Sequence, residues 1–380
     1  MLNVIKTPED LWREIFKISQ DSRVVNSELF GENDEHLLLA YGPVAQRNQF
    51  QSLLYSSANK FNVSILPIHD FELFSNIPWP GKVVCHFHWI HGKTAVAKNK
   101  KEADEAVRFW EKLLCQIKKK KYKIVWTVHN VMPHESFWVE QDKIIHQMMA
   151  DAADYLHIMA NDSVKLTESY YELNKNKLFY LPHPSYEGAQ PSDVAREFAR
   201  RTLSIESDEF VFLSFGAIMR YKGYERLMNA YDKVLEKTDK KIKLIIAGLP
   251  TDKSLVETIH KWGRGRENVI LDLTPIPNDK LQIYFKSADI AVCPYYRTMN
   301  SGAAMMATTF GVPVLGPNSG GFMDIEKEGG GITFDNSDDN SLIEKMIFSM
   351  SMKFEKIDAF RSKVNPQKIS SKFFEKLYKL

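Results

Sequence analysis

The chain has 380 residues, 44% of them hydrophobic and 26% charged, with a formal net charge of +2. That length exceeds one comfortable core and predicts two domains, while the balanced charge excludes any global drive toward nucleic acid or membrane. Cys85, Cys115 and Cys293 lie too far apart for a disulfide framework or a zinc site, no stretch has the roughly 20 apolar residues of a membrane span, and Met1–Lys6 begins no secretory apolar region, so a cytoplasmic protein is expected.

Residues 1–35 read as an extra helix ahead of the first strand. Strands are predicted at residues 36–41, 63–66, 83–89, 124–128, 155–159 and 178–181. A second set is predicted at residues 210–214, 243–247, 268–271, 289–293, 313–315 and 331–333. Short apolar runs bounded by Gly, Pro and Asp suit strands buried on both faces. The segments between them are mostly long enough for crossover helices, which implies two parallel-sheet α/β domains. Residues 182–208 hold Pro182, Pro184, Gly188 and Pro191 and then a charged helical piece, a composition that suits an interdomain connection. Residues 366–380 read as an amphipathic helix with Phe373, Phe374, Leu377 and Tyr378 on one side.

Within the first half, Cys85-His86-Phe87-His88-Trp89-Ile90-His91 invites a metal reading. His86 and His88 share one face of a strand, but no acidic ligand or cysteine pair is spaced to complete a zinc site. The favoured reading is a strand leading to substrate, with His88 or His91 in contact with it. Lys118–Lys121 follow a helix carrying Phe109, Trp110, Leu113, Leu114 and Ile117. The lysines complement that helix's dipole. They also suit an anionic membrane surface, where each adds about 1 kcal/mol.

In the second half, the apolar run Phe210–Ser214 leads into Gly216, Arg220, Lys222 and Gly223 and then a helical pattern from Tyr224 to Lys237. A glycine at a strand end permits a tight turn and close ligand approach. The following helix turns its free N–H groups and positive dipole end toward that turn. Strand, glycine, two cations, glycine and helix make a receptor for a phosphate or diphosphate. An ordinary strand–helix turn with two solvated bases is the alternative that this stretch alone leaves open. Ser301-Gly302 before a second helix is another suitable anion turn.

The ordered set of motifs in residues 178–335 resembles the GT-B glycosyltransferases of family 4. Gly216 with Lys222-Gly223 resembles the family's diphosphate turn, and Leu244–Gly248 its next strand and glycine. Ile276–Leu281, with Asn278 as a possible helix cap, Ala288–Pro294, Phe310–Val314 and Ser319-Gly320-Gly321 complete the order. Trp126–Glu135 resembles the family's Thr-x-His region and, more loosely, a stretch in glycolipid mannosyltransferases. The chain also departs from the pattern. Ala217 stands where an arginine is common, Arg220 is shifted by one, and the family's two spaced glutamates fall on Thr298 and Met306. Ribose recognition must therefore differ.

The resemblance implies two Rossmann-like parallel-sheet domains facing across a cleft. An acceptor-binding domain would span 1–185, a nucleotide-sugar-binding domain 186–355, and a crossover helix 356–380 would return to the first. It implies a hexosyltransferase that moves a sugar from a nucleotide-sugar donor, GDP-mannose or a UDP-sugar, to a lipid-linked or oligosaccharide acceptor in bacterial polysaccharide or glycoconjugate synthesis. No metal or other cofactor is expected, since the chain has no Asp-x-Asp motif. Nucleic acid is not an expected partner. A lipid-linked acceptor would place the enzyme at the inner face of the membrane. His129 and Glu135, with His134, are the expected sugar-contacting or proton-handling groups. Arg220 and Lys222 would neutralise the leaving diphosphate. Gly216, Gly248, Tyr296, Asn300, Ser301, Gly302 and Asp324 would complete the donor site. A non-catalytic binding subunit or an epimerase of the same fold are the alternatives.

Overall fold

The computed structural model describes residues 36–380 apart from 46, 47, 78–80, 134 and 135, together with residues 7, 9, 10, 13 and 17. The helix expected over 1–35 lies almost wholly outside the described residues, as do His134 and Glu135. The chain divides into two compact units, residues 1–182 with 366–380, and residues 183–365.

The first unit is built on β1 (Leu37–Gly42), β2 (Val63–Pro67), β3 (Lys82–Phe87), β4 (Lys123–Val128), β5 (Tyr155–Ile158) and β6 (Leu178–Tyr180). They form one parallel sheet in the order β2-β1-β3-β4-β5-β6. The second unit has β7 (Phe210–Phe215), β8 (Ile242–Ala247), β9 (Val269–Asp272), β10 (Ile290–Val292), β11 (Val314–Pro317) and β12 (Gly331–Phe334). Their order is β12-β11-β10-β7-β8-β9, again parallel throughout. Helices on both faces explain the near-continuous apolar runs. In β8 every residue is buried, and even Lys243 keeps its ammonium paired, 3.2 Å from Glu209.

Each sheet reverses its strand order once, between β1 and β3 in the first and between β7 and β10 in the second. In open α/β sheets ligands bind beyond the carboxyl ends of the strands at such points. Tyr41-Gly42 and His88 leave the first switch point, and Gly216 and Cys293 leave the second.

Two expected boundaries move. The segment 356–380 is two helices, Ile357–Lys363 and Pro366–Leu377, and only the latter joins the first unit. Phe360 holds the former in the second unit: a Cβ on Gly330 would lie 2.3 Å from its ring. In the first unit Ile369, Phe373, Phe374 and Leu377 enter one core with Leu37, Phe50, Val84 and Val125. Ser57 donates its N–H to the Ser370 hydroxyl (2.9 Å) and its own hydroxyl to the Gln367 carbonyl (3.1 Å). The expected connection over 182–208 is also more than a linker. Its helix, Arg196–Thr202, packs on helix Leu281–Ser287. Arg196 and Arg200 both reach Asp289 just before β10 (2.7 and 2.9 Å), and Arg200 also donates to the carbonyls of Glu206, Ser207 and Glu209. Asn278 does not cap a helix; it opens a 3₁₀ turn, Asn278–Lys280, that runs into Leu281.

Helix Lys100–Lys119 buries Ala103, Ala106, Trp110, Leu113, Leu114 and Ile117. Phe109 lies off that face, with the Lys93 ammonium 3.9 Å above its ring.

Candidate active site

At the end of β7 the backbone adopts conformations that only glycine takes easily. Gly216 has φ +126° and Gly248, after β8, has φ +139°. A Cβ on Gly248 would stand 2.1 Å from the Gly216 carbonyl oxygen, so the two backbones touch. A 3₁₀ turn, Arg220–Lys222, follows, and Gly223 at φ +71° starts helix Tyr224–Lys237. A Cβ there would meet the Pro294 carbonyl oxygen at 2.0 Å. The glycines thus let β7, β8 and the segment after β10 converge on one turn.

The two cations of this turn have different fates. Lys222 is only 9% exposed, and a Cβ on Gly216 would lie 2.6 Å from its Nζ. Burial lowers its pKa to about 8. The Tyr295 ring centroid is 5.7 Å from Nζ, and the nearby Cys293 thiol, pushed up to about 11 by burial, supplies no negative charge at neutral pH. Arg220 instead lies on the surface. Its Nε pairs with Asp252 at 2.9 Å and Nη2 donates to the Ser254 hydroxyl. Asp252 caps helix Lys253–Gly263, and the Leu255 N–H it accepts, with Ser254 and Arg220, keeps its carboxyl below the usual range.

The second anion turn forms as well. The Ser301 hydroxyl accepts the Ala304 N–H at 3.1 Å and caps helix Gly302–Thr309. Gly321 donates its N–H to the Met299 carbonyl (2.8 Å), and a Cβ on Gly320 would lie 2.3 Å from that oxygen. This contact sets Asn300, Ser301 and Gly302 beside the start of helix Gly321–Lys327, which carries Asp324 in its first turn. Burial raises the Cys293 thiol, and the hydroxyls of Tyr295 and Ser301 that bond it and the Lys222 charge pull the other way, so the two turns act on one buried side chain. Tyr296 is tied in by its backbone, donating to the Tyr221 carbonyl at 2.9 Å. Its ring packs beneath Arg226, whose guanidinium carbon is 4.6 Å from the ring centroid. Tyr295 and Cys293 were not among the expected site residues, because nothing local marks a buried residue as the neighbour of a distant lysine.

In the first unit His129 follows β4 directly. Its ring stacks on Trp89 (centroids 4.1 Å apart) and meets the edge of Phe50 at 4.8 Å. His129 Nε2 lies 3.0 Å from His88 Nδ1. Of His88 and His91, either of which was expected to meet substrate, His88 is 1% exposed and its other nitrogen bonds the Tyr55 hydroxyl at 2.8 Å. His91 is lowered by burial, which outweighs the opposing pull of Asp142. It shares a small recess with His129, Trp89 and His146, whose pKa burial lowers to about 4. Among the described residues no group of three or more His, Cys, Asp or Glu is placed to hold a metal ion.

Residues 195–364 match the family described as Glycosyl transferases group 1. That span lies inside the second unit and contains both anion turns. The match takes in most of the second unit and less than half of the chain. A D-inositol 3-phosphate glycosyltransferase of Corynebacterium aurimucosum is 29% identical over 48% of this chain and 45% of its own length. An uncharacterized glycosyltransferase of Methanocaldococcus jannaschii is 31% identical over 34% of this chain and 32% of its own. The chain thus spans less than half the length of these two curated relatives. Similarity of fold extends further. HepE of Anabaena in complex with UDP superposes with a TM-score of 0.65 at 13% identity, covering 91% of this chain and all of that one. Sucrose-phosphate synthase of Thermosynechococcus elongatus gives 0.65 at 14% identity, over 91% and 98%. Both units therefore share the GT-B fold.

Proposed function

We propose that this protein moves a sugar from a nucleotide-sugar donor to a lipid-linked or oligosaccharide acceptor, as bacterial polysaccharide or glycoconjugate synthesis requires. The observation that carries this reading is Lys222, a buried ammonium set over Gly216 at the end of β7. A desolvated cation beside a helix start is costly without an anion and interacts strongly with one. Lys222, with the N–H groups at the Gly216 and Ser301 turns, takes the charge of the departing diphosphate. Arg220 joins it by exchanging Asp252 for phosphate. His129 takes a hydrogen bond or the proton from a sugar hydroxyl. The donor is a UDP-sugar or GDP-mannose; HepE was solved with UDP and with UDP-glucose, which puts UDP first among the probes.

Thermal-shift titration with UDP, GDP, dTDP and their sugars tests this. One nucleotide at 100 times its Kd is expected to stabilise the protein by about 2.7 kcal/mol. Lys222→Ala should abolish the shift. No stabilisation by any of them would remove the donor assignment.

The exposed Lys118–Lys121 give a place for an anionic membrane surface. Among the described residues no helix is long and apolar enough to cross a membrane. Sedimentation with phosphatidylglycerol-rich vesicles should pull the protein down at low salt. Changing these four lysines to glutamine should release it. Equal sedimentation of the two proteins would rule this surface out.

A further inference from the structure

Behind His129 lies a continuous file of hydrogen bonds through the first unit. His129 Nε2 is 3.0 Å from His88 Nδ1, and His88 Nε2 is 2.8 Å from the Tyr55 hydroxyl. That hydroxyl is 2.7 Å from His86 Nδ1, and His86 Nε2 is 2.7 Å from the Thr127 hydroxyl. The Thr127 hydroxyl is 3.0 Å from His157 Nδ1, and His157 Nε2 ends the file 2.9 Å from the Leu181 carbonyl oxygen. The file crosses β3, β4 and β5 and ends just past β6. Tyr55, His86, His88, Thr127 and His157 are all buried. Phe373 covers it, its ring stacked on His86 (centroids 5.1 Å apart) and tilted against His157 (5.9 Å).

The last group decides the direction of all the others. A carbonyl oxygen only accepts, so His157 Nε2 carries a proton and donates. With one proton on each buried ring, His157 Nδ1 is then an acceptor and Thr127 donates to it. Thr127 has one proton, so it must accept from His86 Nε2. His86 Nδ1 is left to accept from the Tyr55 hydroxyl, which in turn accepts from His88 Nε2. His88 Nδ1 can then only accept, and His129 Nε2 donates to it. Burial supports the premise: it holds His86 and His88 far below the ordinary histidine range, with neighbouring imidazoles as the lesser cause.

We propose that this buried file is a device that fixes a proton on His129 Nε2 and so commits that nitrogen to His88. Tyr55, His86, His88, Thr127 and His157 are positioning residues; none of them needs to touch substrate. With Nε2 committed to His88, the ring meets a sugar hydroxyl through Nδ1 alone. This consequence rests on the sugar-contacting role proposed for His129; the proton on Nε2 does not.

The test is ¹⁵N NMR of the histidine rings in the full chain at neutral pH, without ligand. His129, identified by its loss in His129→Gln, should show a protonated Nε2. Tyr55→Phe removes both bonds at the middle of the file and should give a mixture of His129 tautomers. Thr127→Val, close in shape, should do the same and guards against a folding defect at Tyr55. With a donor and acceptor in hand, both variants should lower kcat several-fold and leave the donor KM unchanged. An unprotonated Nε2 in the wild type, or an unaltered His129 signal in both variants, would overturn the proposal. If Nε2 is protonated as stated but His129→Gln transfers sugar normally, the file stands and the role of His129 in transfer falls.

Discussion

Lys222→Met should raise the melting temperature of the ligand-free protein and abolish its stabilisation by nucleoside diphosphates. The two effects share one cause. The folded chain holds the Lys222 ammonium at a pKa of about 8, against an ordinary 10.5, because burial disfavours the charged form. That difference corresponds to about 3 kcal/mol of strain in the charged state. Methionine fills a similar volume without a charge. At about 2–4 °C per kcal/mol for a unit of this size, a rise of several degrees is expected. The pH dependence has a definite sign. The unfolded chain keeps this proton up to pH 10.5 and the folded chain only up to about 8. Wild-type stability therefore gains as pH rises through that window. The advantage of Lys222→Met should be greatest below pH 8 and should shrink toward pH 10.5. Diphosphate affinity of the wild type should move the opposite way, weakening above pH 8 as the ammonium is lost. Equal melting of the two proteins at pH 7 would show that Lys222 is not desolvated.

The second large effect is expected at Phe373, whose ring is fully buried in the core that helix Pro366–Leu377 shares with the first sheet. Phe373→Ala removes that ring from between Tyr55, His86, His157 and Phe179. The cost is about 3–5 kcal/mol, from lost burial and the cavity that remains. Tryptophan fluorescence during urea unfolding can read the first unit almost alone. It holds six of the seven tryptophans, Trp89, Trp110, Trp126 and Trp138 among them, while the second holds Trp262. The transition it reports should shift to lower urea in the variant. A shift confined to the second unit would mean that the helix belongs there instead.

Much of the fold was legible because these strands are buried on both faces, so that an apolar run such as Leu244–Ala247 needs no partner to be recognised. The Gly216–Gly223 turn was legible for a related reason: glycine and lysine at that spacing are local features of the chain. Residues that act across the sheet were not. Tyr55 stands one position past a short helix and belongs to no motif, and the Leu181 carbonyl that orients the whole histidine file is backbone. His86 and His88 were rightly placed on one face, but a strand pattern does not tell which side chain stands between a histidine and the solvent. The break between the last two helices was missed because it depends on Phe360 filling the space over Gly330, far away in sequence.

The membership of residues 366–380 in the first unit also has a temporal side. A ribosome releases the six strands of the first sheet early, yet Phe373 and Phe374 come only after residues 183–365 have been made. At about 5–20 residues per second, that interval is about 10–40 s. Throughout it the nascent first sheet carries an apolar face, with His86 and His157 among its residues, that no later part of the chain has yet covered. The second unit can close while it is being synthesised, whereas the first must wait for the helix that seals it.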